Sequence, residues 1–298
     1  MTEEIAFPKS GWIIINKPKG INSTKVVSIA RRAIGMKKVG HAGTLDPLAE
    51  GVLPLAFGQG TRTIPYAMDA TKTYEFTVEF GKATDTEDAE GAVIETSDVI
   101  PTQAEIERVL PQFTGKISQI PPAYSAIKVD GKRAYDLARQ GKVVELKARE
   151  VTILSLELLQ FNGNEATLRA DCSKGTYIRS LARDLAKATG SCGYVTMLKR
   201  TRVGAFSIED TISLEMLEEI RHNAPPFDGV KLIEAALDDI LVHTIDLDQV
   251  AEIRFGRRLN VEDTSLAEGE LALYCDHKLI AIAEHQQGEI RPIRVFND

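Results

Sequence analysis

The hydrophobic and polar positions of the first forty residues predict a short strand followed by an amphipathic helix. Residues 12–15 form an apolar run, and Pro18 follows after two polar residues, so residues 12–17 are typical of a short buried strand. Apolar side chains then recur at helical spacing within residues 23–35, where Ser23 is the expected N-cap and Gly35 can end the helix. The chain therefore starts with a strand and a helix joined by a turn.

The next segment is rich in glycine and proline. Residues 37–62 predict a loop, a short strand and a second loop. Residues 71–81 alternate apolar and polar side chains, as a half-buried strand does, and residues 81–95 predict an exposed acidic hairpin or loop. Thr102 is the expected cap of a helix that reaches about residue 112, because Glu105 completes a capping box.

Two further segments complete the first part of the chain. Residues 120–142 predict an extended Pro-Pro segment, a turn between short strands, and a helix. Residues 149–190 predict two strands around an Asn-Gly turn, then a helix from about Tyr177 to Lys187. Strands and helices that alternate without a regular βαβ period indicate an α+β fold with a mixed or antiparallel sheet.

The pattern changes toward the C-terminus. An acidic helix is predicted near Ser213 to His222, followed by a break at Asn223 to Asp228. Short strands are predicted at residues 255–259, 270–277, 278–286 and 290–296. We therefore predict one domain over residues 1–242 and a small β module over residues 243–298.

Composition indicates a folded globular protein. The chain has 298 residues, 43% hydrophobic and 27% charged, which excludes intrinsic disorder and fibrous repeats. Its three cysteines are widely spaced, which fits neither a disulfide framework nor a CxxC zinc site. Neither a signal-peptide core nor an apolar run of membrane-spanning length is visible, so we expect a cytoplasmic protein without membrane contact.

Charge is distributed unevenly along the chain. The net charge is −7, from 36 Lys and Arg against 43 Asp and Glu. Nevertheless, three stretches are basic: Ile5 to Leu45, Lys116 to Glu150 and Ala166 to Gly204. Folded onto one face, they would suit a phosphate backbone, whereas on separate faces they would be ordinary solvated surface.

Asp46 is the first candidate for chemistry, because it lies in the Gly-rich loop between a leucine and Pro47. A single loop aspartate is more often a turn former or a cap. Three other features change this interpretation: His41 on the same segment, Tyr74 on a predicted strand, and Tyr177 with Arg179 at the start of a predicted helix. A carboxylate, an aromatic ring and a guanidinium could hold a flipped base and attack its sugar.

Five segments in this order resemble the TruB family of tRNA pseudouridine synthases, which isomerise uridine 55 in the T loop. They are KPKGINSTKVV, GHAGTLDPLAEGVLPLAFGQGTR, KTYEFTVEFGKATDTEDAEG, PPAYSAIKVDGKRAYDLARQG and CSKGTYIRSLARDL. The resemblance spans roughly Gly11 to Arg202 and departs from the family at Asn22, where Thr or Ser is more usual. It implies a pseudouridine synthase catalytic domain with an RNA-clamp insertion at about residues 120–150, and a PUA-like module at the C-terminus.

The resemblance also implies roles for individual residues. Asp46 becomes the catalytic carboxylate and Tyr74 the ring that stacks on the target base, with a possible part in handling the C5 proton. Arg179 becomes the partner of the aspartate, and Tyr177 and Leu198 line the nucleotide pocket. Two further roles complete the set: displacement of the target nucleotide by His41, and structural support of the site by Lys17 and Pro18.

Several alternatives remain open at this stage. Simple packing in the sheet or core also explains Tyr74, Tyr177 and Leu198. Arg179 can likewise be an ordinary cation at a helix end. Asp46 can bond the sugar covalently or remove a sugar proton to give a glycal. A noncatalytic RNA-binding protein is a second hypothesis, and a nucleoside hydrolase or glycosidase is a third.

Partners and cofactors follow from the leading hypothesis. Isomerisation involves no net oxidation, hydrolysis or group donor, so no cofactor is expected. The five histidines lack the paired spacing of a metal site, so no metal is expected either. The expected partner is tRNA, through its T loop and T stem, and the expected state of the protein is a monomer.

Overall fold

The structure is a computed structural model that describes residues 8–125, 127–129, 131–142, 144–219, 229–261 and 265–297. The helices are α1 (Ser23–Ala33), α2 (Ile64–Asp69), α3 (Gln103–Val109), α4 (Ala134–Arg139), α5 (Ile178–Ala188), α6 (Leu214–Glu219) and α7 (Leu247–Arg254). Short 3₁₀ segments are formed by Gly58–Thr63, Leu110–Phe113, Ile208–Asp210 and Ile233–Ala236.

The strands of the first 210 residues are β1 (Gly11–Lys17), β2 (Val39–His41), β3 (Glu50–Phe57), β4 (Lys72–Phe80), β5 (Lys82–Thr84), β6 (Val93–Thr96), β7 (Gly115–Gln119), β8 (Lys128–Val129), β9 (Lys132–Arg133), β10 (Arg149–Asn162), β11 (Glu165–Cys172), β12 (Gly193–Val203) and β13 (Phe206–Ser207). The remaining strands are β14 (Val230–Lys231), β15 (Leu241–Thr244), β16 (Leu259–Asn260), β17 (Gly269–Cys275), β18 (Lys278–Gln286) and β19 (Glu289–Val295).

The main sheet is mixed and contains ten strands. Its main path runs β14-β1-β3-β12-β4-β11-β10-β7, while β2 pairs with β3 and β13 with β12. Strands β3 and β12 are parallel, and the neighbours β12, β4 and β11 are antiparallel. The predicted α+β fold with a mixed or antiparallel sheet is therefore confirmed.

Helix α5 packs on this sheet, and its first turn forms one wall of the candidate active site. Its apolar positions recur every three or four residues, and Ile178, Leu181 and Leu185 are buried in the main core. Full burial of each such side chain stabilises the fold by about 1.5–3 kcal/mol. The packing brings the first turn of α5, with Tyr177 as its N-cap, onto β4 and β12.

A five-stranded sheet with its own core follows, in the order β15-β17-β18-β19-β16. Its core includes Ile245, Ile253 and Ile290. Strand β15 crosses the predicted boundary between residues 242 and 243, so that division stays a prediction. A small apolar cluster of Leu237, Ile282 and Phe296 lies against Tyr66 of α2, so this helix packs against the C-terminal sheet.

Several predicted local features are confirmed. Strand β1 ends at Lys17 directly before Pro18, and Thr102 with Glu105 forms a complete capping box on α3. The acidic segment forms the antiparallel hairpin β5–β6. Strands β10 and β11 pair on either side of residues 163–164. These features were predictable because local residue types determine them.

Other predictions were wrong, and one concerns residues outside the described part of the chain. Asn22, not Ser23, caps α1, and its side chain accepts a hydrogen bond from the Lys25 amide. The segment predicted as a strand at residues 255–259 follows α7, which ends at Arg254 with Phe255 as its C-cap, and only Leu259 belongs to a strand, β16. Helix α2 was also missed. The predicted break at Asn223–Asp228 lies outside the described residues.

Candidate active site

A cavity of about 580 Å³ opens where β4, β12, the start of α5 and the loop before β3 meet. Five of the predicted site residues line this cavity together: Asp46, Tyr74, Tyr177, Arg179 and Leu198. They come from four separate parts of the chain, and the fold brings them to one place. A volume of this size accommodates a nucleoside-sized ligand.

Arg179 is the centre of an ionic network beside the cavity. Its side chain is 4% exposed; Nη2 lies 2.8 Å from Asp46 Oδ2, and Nη1 lies 3.4 Å from Asp88 Oδ2. The same two nitrogens donate to the carbonyl oxygens of Thr86 and Tyr124. The Asp46 side chain stays 38% exposed, so its carboxylate is oriented by the guanidinium and still accessible from the cavity.

The turn that starts α5 is held by a buried glutamine. Gln119, at the end of β7, accepts a hydrogen bond from the Tyr177 amide at 2.8 Å and donates to the Tyr177 carbonyl at 3.1 Å. The Arg149 guanidinium lies 4.7 Å from the centre of the Tyr177 ring. Together these contacts fix the direction in which Arg179 leaves the helix. No local sequence pattern points to Gln119, because its partner is 58 residues away.

Tyr74 and Leu198 form part of the wall on the sheet side. Tyr74 is opposite Arg200 in the β4–β12 pairing, and Leu198 is opposite Phe76. Leu198 is 6% exposed and belongs to the main core, so its packing role and its position on the cavity wall coexist. Burial raises the pKa of Tyr74, and the nearby Arg200 charge only partly opposes this rise. Tyr74 is therefore a neutral phenol at neutral pH.

Hydrogen bonds to Ser23 of α1 hold the loop that carries Asp46. The Ser23 hydroxyl donates to the Leu45 carbonyl at 3.0 Å and accepts from the Leu45 amide at 2.9 Å. Ser23 is buried, which explains why it does not act as the helix cap. Its two hydrogen bonds join α1 to the residue directly before Asp46.

Lys17 contacts the other side of the same loop, and the Pro18 carbonyl is one of its hydrogen-bond partners. The buried Lys17 ammonium donates to the carbonyls of Pro18 at 2.9 Å, Ile21 at 2.8 Å and Pro47 at 3.5 Å. Pro47 also accepts from the Gly20 amide. Burial lowers the pKa of Lys17 to about 8, with the Asp46 charge opposing the shift. Lys17 therefore lies under the loop and supports it.

His41 lies apart from the first cavity. It lines a neighbouring cavity of about 790 Å³, together with Tyr124 and Tyr135. Asp46 and Arg179 line both cavities and so stand between them. Burial, and then the Arg200 charge, lowers the pKa of His41, so its imidazole is neutral at neutral pH.

The basic stretches are not purely surface charge. Lys17, Arg179 and Arg200 are buried, so they belong to the site rather than to an exposed phosphate-binding face. The remaining cations of the first stretch are exposed: Lys9, Lys19, Lys25, Arg31, Arg32, Lys37 and Lys38. The surface that could contact phosphates is therefore smaller in the stretch from Ala166 to Gly204, where two of eight cations are buried.

Two kinds of feature are absent from the residues that the structure describes. No group of three or more His, Cys, Asp or Glu side chains within those residues is arranged to hold a metal ion. No helix formed by them is long and apolar enough to cross a membrane.

Comparison with known proteins identifies similar chains. A model of the TruB family pseudouridylate synthase N-terminal domain matches residues 31–178, and one of the tRNA pseudouridylate synthase B C-terminal domain matches residues 179–242. The chain is 46% identical over 296 residues to tRNA pseudouridine synthase B of Rhodospirillum rubrum, and 45% identical over 297 residues to that of Caulobacter vibrioides. Each alignment covers 96% of both chains.

A solved structure shares the fold. A chain of the archaeal box H/ACA sRNP Nop10–Cbf5 complex superposes with a TM-score of 0.72 at 23% identity, over 97% of this chain and 86% of that one. At this level of identity the similarity concerns the fold alone. It extends beyond the ten-stranded sheet into the C-terminal residues, because nearly the whole chain is covered.

Proposed function

The chain belongs to the TruB family of tRNA pseudouridine synthases, and on that premise we propose that it isomerises uridine 55 in the tRNA T loop with Asp46 as the catalytic carboxylate. One observation carries this proposal. Asp46 projects into a nucleoside-sized cavity while Arg179, 2.8 Å away, orients its carboxylate. A carboxylate beside the sugar is what cleavage of a glycosidic bond requires.

The reaction balances without any added reagent. The N1–C1′ bond breaks, the detached uracil rotates within the cavity, and C5 bonds to C1′. C5 loses its proton and N1 gains one, so composition and oxidation state are unchanged. Asp46 would either bond C1′ and later leave, or remove a sugar proton to give a glycal. Both routes place the same carboxylate oxygen beside the ribose.

The residues around Asp46 suit the retention of a detached base. Tyr74 offers an aromatic face, and Leu198 and Tyr177 narrow the cavity. The raised pKa of Tyr74 keeps the phenol neutral, which favours stacking over a role as the base that removes the C5 proton. The apolar side chains of the cavity wall would also limit the access of water to the sugar.

Recognition of the tRNA would use groups outside this cavity. Extrusion of the target nucleotide is assigned to His41, which lines the neighbouring cavity on the other side of Asp46. The exposed cations of α1 and of the clamp, residues 120–150, would contact phosphates of the T stem and T loop. The C-terminal sheet would serve as the PUA-like module of residues 243–298.

Unmodified tRNA carrying tritium at uridine C5 tests this proposal. The protein alone should release tritium while the base stays attached to the RNA, and the label should come from position 55. Release of free uracil would indicate a hydrolase. Binding without release of label or uracil would indicate a noncatalytic RNA-binding protein. Either of these two results would overturn the proposal.

A further inference from the structure

Arg200 is a buried cation to which the proposed function assigns no role. It lies on β12, two residues after Leu198, with 1% of its surface exposed, and lines the cavity with Asp46 and Tyr74. Among the residues that the structure describes, Arg200 forms no ion pair with a carboxylate. A buried charge needs compensation, so the contacts of its guanidinium indicate its role.

The guanidinium donates one hydrogen bond to the Tyr74 hydroxyl. Its other contacts are three backbone carbonyl oxygens on two segments. Nε donates to Val52 at 2.8 Å, Nη2 to Gly43 at 3.1 Å and Nη1 to Thr44 at 3.5 Å. Val52 belongs to β3, after the loop, whereas Gly43 and Thr44 precede Asp46 by three and two residues. One planar side chain therefore joins both ends of the loop that carries the proposed catalytic carboxylate.

The main chain of Arg200 is held at the same place. Arg200 pairs with Gly51 across the parallel contact of β12 and β3. Gly51 has φ of +100°, and a Cβ atom built there would lie 2.2 Å from the Arg200 carbonyl oxygen. Only glycine permits this approach. The close contact of the backbones fixes the origin of the guanidinium, so its reach to the loop is also fixed.

We propose that Arg200 is a positioning residue that sets the place of Asp46 by clamping the loop from Gly43 to Val52. This inference rests on the proposed function, because the placement matters only if Asp46 reacts. Three different nitrogens of the guanidinium reach the three carbonyls, whereas lysine has one ammonium nitrogen on a flexible stem, so Arg200→Lys should not restore this geometry. Displacement of a reacting group by about 1 Å can lower a rate about 100-fold.

Arg200→Lys and Arg200→Gln test the proposal, with Arg62→Lys as the control. Arg62 donates to the Val295 carbonyl on the C-terminal sheet, away from both cavities. For each protein we would measure the single-turnover rate at saturating tRNA, the Kd for tRNA, and amide exchange of residues 42–49 by mass spectrometry. The Leu45 and Ala49 amides, which bond to Ser23 Oγ and the Asp46 carbonyl, report on the loop.

Both Arg200 variants should lose about 10–100-fold in single-turnover rate with Kd within about twofold. Exchange at residues 42–49 should rise about tenfold or more, while residues 178–188 and the Arg62→Lys control stay unchanged. Unchanged rate and exchange would overturn the proposal. Weaker binding with an unchanged rate at saturation would instead make Arg200 an RNA contact.

Two precautions keep the result interpretable. If Arg200→Gln does not fold, Arg200→Lys keeps the charge and decides the question, and exchange confined to residues 42–49 separates local loosening from global unfolding. If the wild-type protein releases no tritium, the proposed function fails. The exchange measurement then still decides whether Arg200 holds the loop.

Discussion

The loop of residues 42–49 carries Asp46, and the clamp of residues 120–150 lies beside it. The two regions differ in how they are attached to the rest of the protein. Main-chain groups on both sides of Asp46 bond to buried side chains from other elements, namely Lys17, Ser23 and Arg200. In the clamp, β8 and β9 pair with each other and not with the main sheet. The difference indicates that the Asp46 carboxylate is preorganised, whereas the part that we propose contacts RNA is joined to the body mainly near its ends.

The attachments of the clamp support this view. Arg183 donates to the Ile120 carbonyl at 3.0 Å and Arg179 to the Tyr124 carbonyl at 2.9 Å. Beyond these contacts lie the exposed cations Lys128, Lys132 and Arg133. Arg179 is therefore shared between the two regions, since it also pairs with Asp46.

Arg179→Gln should break both regions at once and, apart from Asp46→Asn, give the largest effect of the variants below. It leaves Asp88, 5% exposed, without its ionic partner, which should lower the free energy of unfolding by about 3 kcal/mol. Loss of the group that orients Asp46 should lower the single-turnover rate about 100-fold or more. Denaturant unfolding and tritium release measure these effects. A rate within threefold of wild type would contradict the role of the ion pair.

Ser23→Ala should loosen the Asp46 loop alone. The Leu45 amide and carbonyl would lose their partner, at a cost of about 1–3 kcal/mol in the free energy of unfolding. We expect the rate at saturating tRNA to fall about tenfold, with an unchanged Kd. Ser28→Ala is the matched control, because that hydroxyl is exposed and bonds only within α1. Equal effects of the two substitutions would contradict the account.

Much of the first region could be predicted from sequence, but the reasons differ among residues. Asp46, Tyr74 and Arg179 were found through motifs that resemble a family, and strand β1 and the Thr102 capping box through local patterns. Ser23 was assigned to the wrong role because its partner, Leu45, is 22 residues away.

Gln119, Asp88 and Arg200 were not identified as site residues for the same reason. Arg200 contacts Gly43 across 157 positions, and Asp88 meets Arg179 only after the β5–β6 hairpin folds against α5. Composition and periodicity report neighbours along the chain. They do not report which buried polar groups will satisfy each other in the folded protein.

A triple substitution to Gln in the clamp should weaken RNA binding and leave the Asp46 loop intact. The three residues are Lys128, Lys132 and Arg133. Binding of tRNA should weaken about 3–10-fold at 0.1 M salt, and the slope of log K against log salt should become shallower by about 2–3. The rate at saturation should stay within twofold. Lys82→Gln with Arg108→Gln, outside the basic stretches, is the control. A lower rate at saturation would place the clamp in the chemical step.

A rise in pH should have the smallest effect, and this effect should come from the lysines that hold the Asp46 loop and the start of β4. The pKa values of Lys17 and Lys72 are lowered to about 8 by burial, so both ammonium groups lose protons as pH rises from 7 to 9. Each faces three carbonyls, but a neutral amine has only two N–H donors.

The rate at saturation should therefore fall about two- to threefold over that range, because the loop and the start of β4 each lose a donor. Lys17→Arg keeps its charge throughout the range and should remove part of this decline. Identical pH profiles for the wild type and Lys17→Arg would show that the supporting lysine does not limit the reaction.

The most direct test of the central claim is tritium release and tRNA binding measured together for Asp46→Asn. This nearly isosteric change removes the carboxylate and leaves the cavity and the clamp in place. The account predicts no detectable release with a Kd within about threefold of wild type, since binding rests mainly on groups outside the cavity. Release at more than a few per cent of the wild-type rate, or loss of binding, would contradict it.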